Sequence, residues 1–317
     1  MELYRCSALQ YLDLSWNHLG RELPAYTGSR LGVNLTTLAL SGNRFNGTIL
    51  GTIPASLSSL QNLQNLKMDD NKLIGIVPAK LNKLMRLQTL WLAYNPFAAG
   101  ELLASFKNLT NMTLGSACKL IGDFLRFVAD MPELEVLDLS INMLTGGIPP
   151  WVWSLKNLQY FGVYRNNLTS DLVVNDFAVM ENYKLTRVIP EVFEHLENLT
   201  RLSLFRNNFS GEIPASISRL PSFIKFGKHS TFTYMKGDDN ELIGTIPEGL
   251  CARGQFMTLT DNGNHLNGSI PEALANCSSL HGLQLDSNQL FDKLPQALWT
   301  IRIKTLSLYN NRLIGGL

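Results

Sequence analysis

The chain has 317 residues, 45% of them hydrophobic and 17% charged, with a formal net charge of +1. That length exceeds what one ordinary hydrophobic core serves. The near-neutral balance argues against the concentrated basic patch that nucleic acid or an anionic membrane surface requires, and no apolar run reaches the ~18–20 residues that cross a bilayer.

Along the chain a single unit recurs. Counted from its first apolar residue, it starts at Leu9, Leu35, Leu63, Leu87, Leu109, Leu134, Leu158, Leu199, Phe232, Phe256, Leu280 and Ile303. The steps between these anchors are 26, 28, 24, 22, 25, 24, 41, 33, 24, 24 and 23 residues. Each unit opens Leu-x-x-Leu-x-Leu. Its last two apolar residues alternate along a short strand, so both point into a core while the residues between point out.

An Asn follows three places after the third apolar residue, at Asn17, Asn43, Asn71, Asn95, Asn142, Asn166, Asn207, Asn240, Asn264, Asn288 and Asn311. It stands where the chain leaves the strand. A buried amide there can satisfy backbone groups of its own and adjacent coils, which hydrocarbon cannot. Gly-x-Ile-Pro comes next, as in Gly211 to Pro214, Gly244 to Pro247 and Gly268 to Pro271. Gly permits unusual backbone angles, and Pro fixes φ and leaves no amide donor to satisfy. Stretches such as Ala273-Leu274-Ala275-Asn276 then predict short helical turns on the convex side. The expected fold is an α/β solenoid of about twelve full repeats with a parallel β-sheet along its concave face, each unit burying its apolar side on its neighbours.

Residues 1–317 read as one array, regular over 9–170 and 232–317, with irregular half-repeats at 171–198 and 215–231. In the 41-residue step, Asn182 to Pro190 keeps the second half of a unit without its strand; in the 33-residue step, Pro221 to Gly227 reads as a truncated start. Two readings stay open: loops tolerated on one face of a solenoid, or blocks lost from an in-register array. Solenoids end in capping units with a polar outer face. Here Met1 to Cys6 has neither a cap nor the basic-then-apolar run of a signal peptide, and the chain stops at Gly315-Gly316-Leu317. The expectation is an array uncapped at both ends, a poorly soluble fragment of a longer parent.

His18, His195, His229, His265 and His281 are scattered, with no partners at metal-ligand or catalytic-triad spacing. No catalytic residue, metal or cofactor is expected. Function should then lie on outward strand positions, where Trp91, Tyr94, Tyr160, Tyr164, Arg165, Arg201, Phe205, Arg206 and Lys236 fall. Aromatic and Arg side chains dominate binding hot spots, and this set suits an extended peptide carrying apolar groups and a carboxylate or sulfate. Asn-x-Ser/Thr sequons occur at Asn34, Asn46, Asn108, Asn111, Asn167, Asn198, Asn208, Asn267 and Asn276, pointing to the secretory route; Asn111 faces the concave side and suits a glycan poorly. Cys251 and Cys277 occupy convex positions of successive repeats, compatible with either a disulfide or two buried thiols. Cys6 stands in the same slot as Cys277, so its partner would lie in a preceding repeat, and Cys118 reads as a free thiol.

Leu-x-x-Leu-x-Leu-x-x-Asn-x-Leu-x-Gly-x-Ile-Pro resembles the plant-specific class of leucine-rich repeats found in receptor-like kinases, receptor-like proteins and polygalacturonase-inhibiting proteins. Gly249-Leu250-Cys251 to Phe256, followed by Ile270-Pro271-Glu272 to Leu280, resembles the HAESA-like group of receptor kinases. The resemblance implies an extracellular, plasma-membrane receptor whose ectodomain binds a secreted peptide on its concave side and then a co-receptor kinase. It also implies a serine/threonine kinase joined through one membrane helix, and the sequence carries neither that helix nor the kinase motifs. The expected function is a ligand- and protein-binding scaffold without catalysis. The alternatives are a secreted inhibitor or decoy of the polygalacturonase-inhibitor type and a non-functional gene fragment.

Overall fold

The computed structural model describes residues 6, 8–46, 53–98, 108–114, 119–123, 128, 131–169, 196, 198–219, 223–225, 228–230, 233–252 and 254–315. The chain divides into two compact units, Met1–Leu144 and Thr145–Leu317. The first unit holds the parallel strands β1 (Tyr11–Asp13), β2 (Thr37–Ala39), β3 (Asn65–Lys67), β4 (Thr89–Trp91), β5 (Asn111–Thr113) and β6 (Val136–Asp138). Their central residues, Leu12, Leu38, Leu66, Leu90, Met112 and Leu137, are paired across the sheet in one row and buried.

The second unit repeats the plan with β7 (Tyr160–Gly162), β8 (Arg201–Ser203), β9 (Tyr234–Lys236), β10 (Thr258–Thr260), β11 (Gly282–Gln284) and β12 (Thr305–Ser307). Here Phe161, Leu202, Met235, Leu259, Leu283 and Leu306 align. The irregular steps leave that register intact. Strand β7 pairs directly with β8, and the Asn182 to Pro190 remnant lies outside the described residues. Between β8 and β9, Phe223–Lys225 and Lys228–Ser230 form an antiparallel hairpin with Ile224 opposite His229.

Opposite the strands, the chain makes short helical turns that start after a proline, 3-10 in form except at the short α-helix Glu272–Ala275. Pro54, Pro78, Pro149, Pro214, Pro247, Pro271 and Pro295 each accept, through the carbonyl, the N–H of an apolar residue three places on, at 3.0–3.4 Å. Those residues (Leu57, Leu81, Val152, Ile217, Leu250, Leu274 and Leu298) are buried. In three coils the pattern continues: Leu60 bonds to Leu57 and Leu63 to Leu60, with the same steps at Leu81-Leu84-Leu87 and Val152-Leu155-Leu158. A spacing of three matches three residues per turn, so one apolar row faces inward throughout. An α-helix would rotate that row off the core.

The Asn row is the covalently simplest part and the most informative. Asn95, with no exposed surface, donates from Nδ2 to Leu92 O and Ala93 O of its own coil, at 3.0 and 3.2 Å, and to Met68 O of the preceding coil at 2.9 Å. Its Oδ1 accepts the Leu73 N–H, also of the preceding coil, at 3.0 Å. Asn43, Asn71, Asn142, Asn207, Asn240, Asn264, Asn288 and Asn311 do the same, each joining two coils. This is the role expected from the sequence. Losing one such amide strands buried groups in both coils, at roughly 1–3 kcal/mol per group.

The residue just before each ladder Asn adopts a left-handed conformation. Trp16, Asp70, Tyr94, Ile141, Arg165, Arg206, Asp239, Ser287 and Asn310 have φ of 51–56°, and Gly42 and Gly263 have 61 and 63°. That kink turns the chain off the strand and swings the amide back to the carbonyls two and three residues earlier. The glycines of Gly-x-Ile-Pro are left-handed as well, at 82, 78 and 79° for Gly211, Gly244 and Gly268.

Candidate functional site

Outward residues of the short strands, and the two residues after the third apolar slot, form the concave surface of each unit. In the first unit, Trp91 ends β4. Its indole N–H donates to Asn111 Oδ1 at 2.9 Å, and the Lys67 ammonium sits 4.1 Å from its ring centroid. Both neighbours come from adjacent strands, so the ring is pinned from two sides. Tyr94, left-handed and 61% exposed, projects beyond it. Trp16 is 77% exposed and lies against Gly42, where an added Cβ would come 2.5 Å from the indole. The Tyr11 hydroxyl donates to Asp13 at 3.2 Å, and the Ser15 N–H donates to the other Asp13 oxygen at 2.9 Å. The Ser15 N–H is the main reason the Asp13 carboxyl is held below its ordinary range.

In the second unit, five of the predicted residues and one unpredicted neighbour, Tyr234, fall into rows. Tyr160, Arg201 and Tyr234 stand side by side on β7, β8 and β9, with the Arg201 guanidinium 5.6 Å from the Tyr234 ring centroid. Gly162 gives room for Tyr160, whose hydroxyl lies 2.5 Å from where a Cβ would be. One step further along the coils, the Tyr164 and Phe205 rings stack at 4.3 Å and 9° between planes. Beside them Arg206 Nε meets Asp239 Oδ2 at 3.1 Å, both side chains about half exposed. Arg165 and Lys236 are exposed and make no ion pair among the described residues.

Beyond this cluster the surface changes character. Asp238 accepts the Asn262 N–H at 3.0 Å, the Asn262 side-chain amide at 2.8 Å and the Thr260 hydroxyl at 2.6 Å. Asn262 Oδ1 accepts the Asp286 N–H at 2.8 Å, and Asp286 accepts Ser307 Oγ and the Tyr309 N–H at 2.6 and 2.8 Å. These side chains tie one coil to the next and leave less capacity for a ligand. Tyr234 and Lys67 are not among the outward residues read from the sequence. Tyr234 occupies the same slot as Arg201, a signal that full alignment of the coils gives; Lys67 over Trp91 has none.

Cys251 and Cys277 are joined by a disulfide with Cα atoms 5.9 Å apart. Cys6 is a free, exposed thiol, and Cys118 lies outside the described residues. The sequon residues Asn34, Asn46, Asn108, Asn167, Asn208, Asn267 and Asn276 are exposed, whereas Asn198 is half-buried and donates to Lys156 O at 2.8 Å. Among the described residues, no group of three or more His, Cys, Asp or Glu could hold a metal ion, and no helix is long and apolar enough to cross a membrane.

Residues 8–29, 34–60, 133–155 and 198–220 match the Leucine Rich Repeat family. Receptor like protein 27 of Arabidopsis thaliana is 28% identical over 192 residues, covering 57% of this chain and 23% of that protein. Among solved structures, the plant peptide hormone receptor RGFR1 in complex with RGF2 superposes with a TM-score of 0.81 at 26% identity, over all of this chain and 46% of that one. The Arabidopsis receptor kinase HAESA, in complex with the peptide hormone IDA and the co-receptor SERK1, gives 0.68 at 27% identity, over 98% of this chain and 56% of that one. The chain thus spans less than a quarter of the curated relative and about half of the solved ectodomains. Strand register, Asn ladder and these likenesses agree: the chain has the fold of a leucine-rich-repeat solenoid, and the solved structures it is similar to include plant receptor ectodomains.

Proposed function

We propose that the chain is the ligand-binding part of a plant receptor and that a peptide lies extended across the concave strands of its second unit. The observation that carries this reading is the in-register row Tyr160, Arg201, Tyr234 beside the Tyr164–Phe205 stack. Adjacent strands there offer flat apolar surface interleaved with cations at the ~4.8 Å strand spacing, the residue types that concentrate binding energy. Arg165 and Lys236 supply charge for a carboxylate or sulfate. The peptide-hormone complexes of RGFR1 and HAESA support the reading, and the co-receptor of the latter supports a second receptor chain as partner. The chain acts by binding and not by catalysis, at the outer face of the plasma membrane in the intact parent. Its exposed sequons carry glycans.

The test uses the full chain secreted from insect cells and a library of synthetic peptides ending in a carboxylate or carrying a sulfate. Selected peptides are expected to bind, with Tyr164→Ala and Phe205→Ala each weakening binding by ~10-fold or more and Glu248→Ala, on the convex turn Glu248–Cys251, leaving it unchanged. Unaltered affinity in both aromatic variants would sink the proposal. Mass spectrometry of the same preparation should find Asn46, Asn167 or Asn208, and Asn267 occupied; a chain bare at every sequon would contradict the secretory part.

A further inference from the structure

The third apolar slot of the coil that starts at Phe256 holds an acid. Asp261 stands where the following coil has Leu285, has no exposed surface, and neither carboxyl oxygen has a hydrogen-bond partner. In the coil before it the same slot is Gly237, and a Cβ there would lie 2.0 Å from Asp261 Oδ1. The missing side chain is therefore what admits the carboxyl to the core. The Gly237 N–H acts weakly on the carboxyl, because that N–H is directed at the Thr260 carbonyl at 2.8 Å. Chain neighbours Thr260 and Asn262 both bond Asp238, on the surface directly above.

We propose that Asp261, seated in the space left by Gly237, is a neutral acid that makes the second unit an acid-stabilised structure, loosened from within as pH rises. A carboxylate at this place would have no cation and no donor free of another partner, and charge buried unpaired is among the costliest things a core can hold. Burial first, and then the negative charge of Asp238, hold the Asp261 carboxyl well above the usual carboxylate range. Titratable or charged side chains on the elements packed against it are Tyr234, Lys236, Asp238, Asp239 and Glu241 on the preceding coil, His265 on its own, and His281 and Asp286 on the following one. Glu241 and His265 face outward and bond each other at 2.8 Å, which leaves Asp238 as the charge that acts on Asp261.

The sign follows from which state holds the proton. The folded chain keeps it to a higher pH than the unfolded chain, whose Asp titrates near ~3.9. Stability from this group is complete below that value and is lost as pH climbs toward and through the raised folded value. Ionisation would set a second negative charge beneath Asp238, so the Asp238–Asn262–Asp286 ladder on the concave surface loosens first.

Thermal unfolding of the full chain between pH 5 and pH 8 tests this, comparing the wild type with Asp261→Asn, which cannot ionise, and Asp261→Leu, which restores the side chain of Leu285. The wild-type Tm is expected to fall by on the order of 5 °C over that range beyond any fall in the variants, with Asp261→Leu at least as stable as wild type at pH 8. Equal slopes in wild type and variants would overturn the proposal. Infrared spectra of wild-type chain labelled at Asp with carbon-13 give a readout that needs no variant. A protonated carboxylic acid band at pH 7 is expected, and its absence overturns the proposal too.

Discussion

Ile141 carries a β-branched side chain at φ 55°, a conformation in which Cβ crowds the following carbonyl at a cost of about 1–2 kcal/mol. Gly42 occupies the equivalent place without that cost, and its bare Cα also receives the Trp16 ring. Opposite substitutions at these two positions should therefore move stability in opposite directions. Ile141→Asn is expected to raise the unfolding free energy by about 1 kcal/mol, since Asn tolerates the left-handed region. Gly42→Ala is expected to lower it by at least about 1 kcal/mol, and urea denaturation reads both. The Asn that follows was legible in the sequence because its period is strict and only an amide both donates and accepts there. The left-handed residue before it was not legible, because Trp, Tyr, Ile and Arg are types that ordinarily avoid this conformation. Asp261 lies between these cases: alignment of the coils exposes it as the wrong chemistry for its slot, but only the structure places Gly237 beneath it.

At the scale of elements, what the sequence conveyed depended on whether a contact runs along a row. The strands were legible from alternation, and the stack of Tyr164 on Phe205 follows once both are assigned the same slot in neighbouring coils. The convex segments were legible as helical turns but not as 3-10 turns; the spacing Leu57, Leu60, Leu63 contains that information. Diagonal contacts such as Trp91 with Asn111 depend on rotamers, which no spacing encodes. The Cys251–Cys277 bond joins the turn Glu248–Cys251 to the segment after the helix Glu272–Ala275. It closes a loop over a sequence separation of 26, for which chain entropy gives a stabilisation of about 3.5 kcal/mol. Cys251→Ser/Cys277→Ser should lower the unfolding free energy by that order, and reducing agent should bring the wild type to the same value. A double variant as stable as the oxidised wild type would remove the bond from the account.

For the whole molecule, the ladder predicts a periodic pattern of protection. The N–H groups of Leu19, Phe45, Leu73, Leu120, Leu168, Phe209, Leu242, Leu266 and Leu290 are each closed by an Asn of the coil that follows. Amide hydrogen exchange should show slow sites at these positions, recurring with the repeat, and Asn95→Ala should accelerate Leu73 in the preceding coil more than the amides near residue 95 itself. Exchange at Leu73 that ignores this substitution would contradict the ladder as drawn. Because neighbours alone hold a solenoid together, such losses stay local and do not spread through the chain. The same direction of bonding has a consequence for synthesis. Each Asn completes the turn of the coil made before it, so a coil emerging from the ribosome keeps an open N–H and an open carbonyl until its successor has also been made. Closure therefore trails translation by one repeat, and the growing chain always presents its newest coil unfinished.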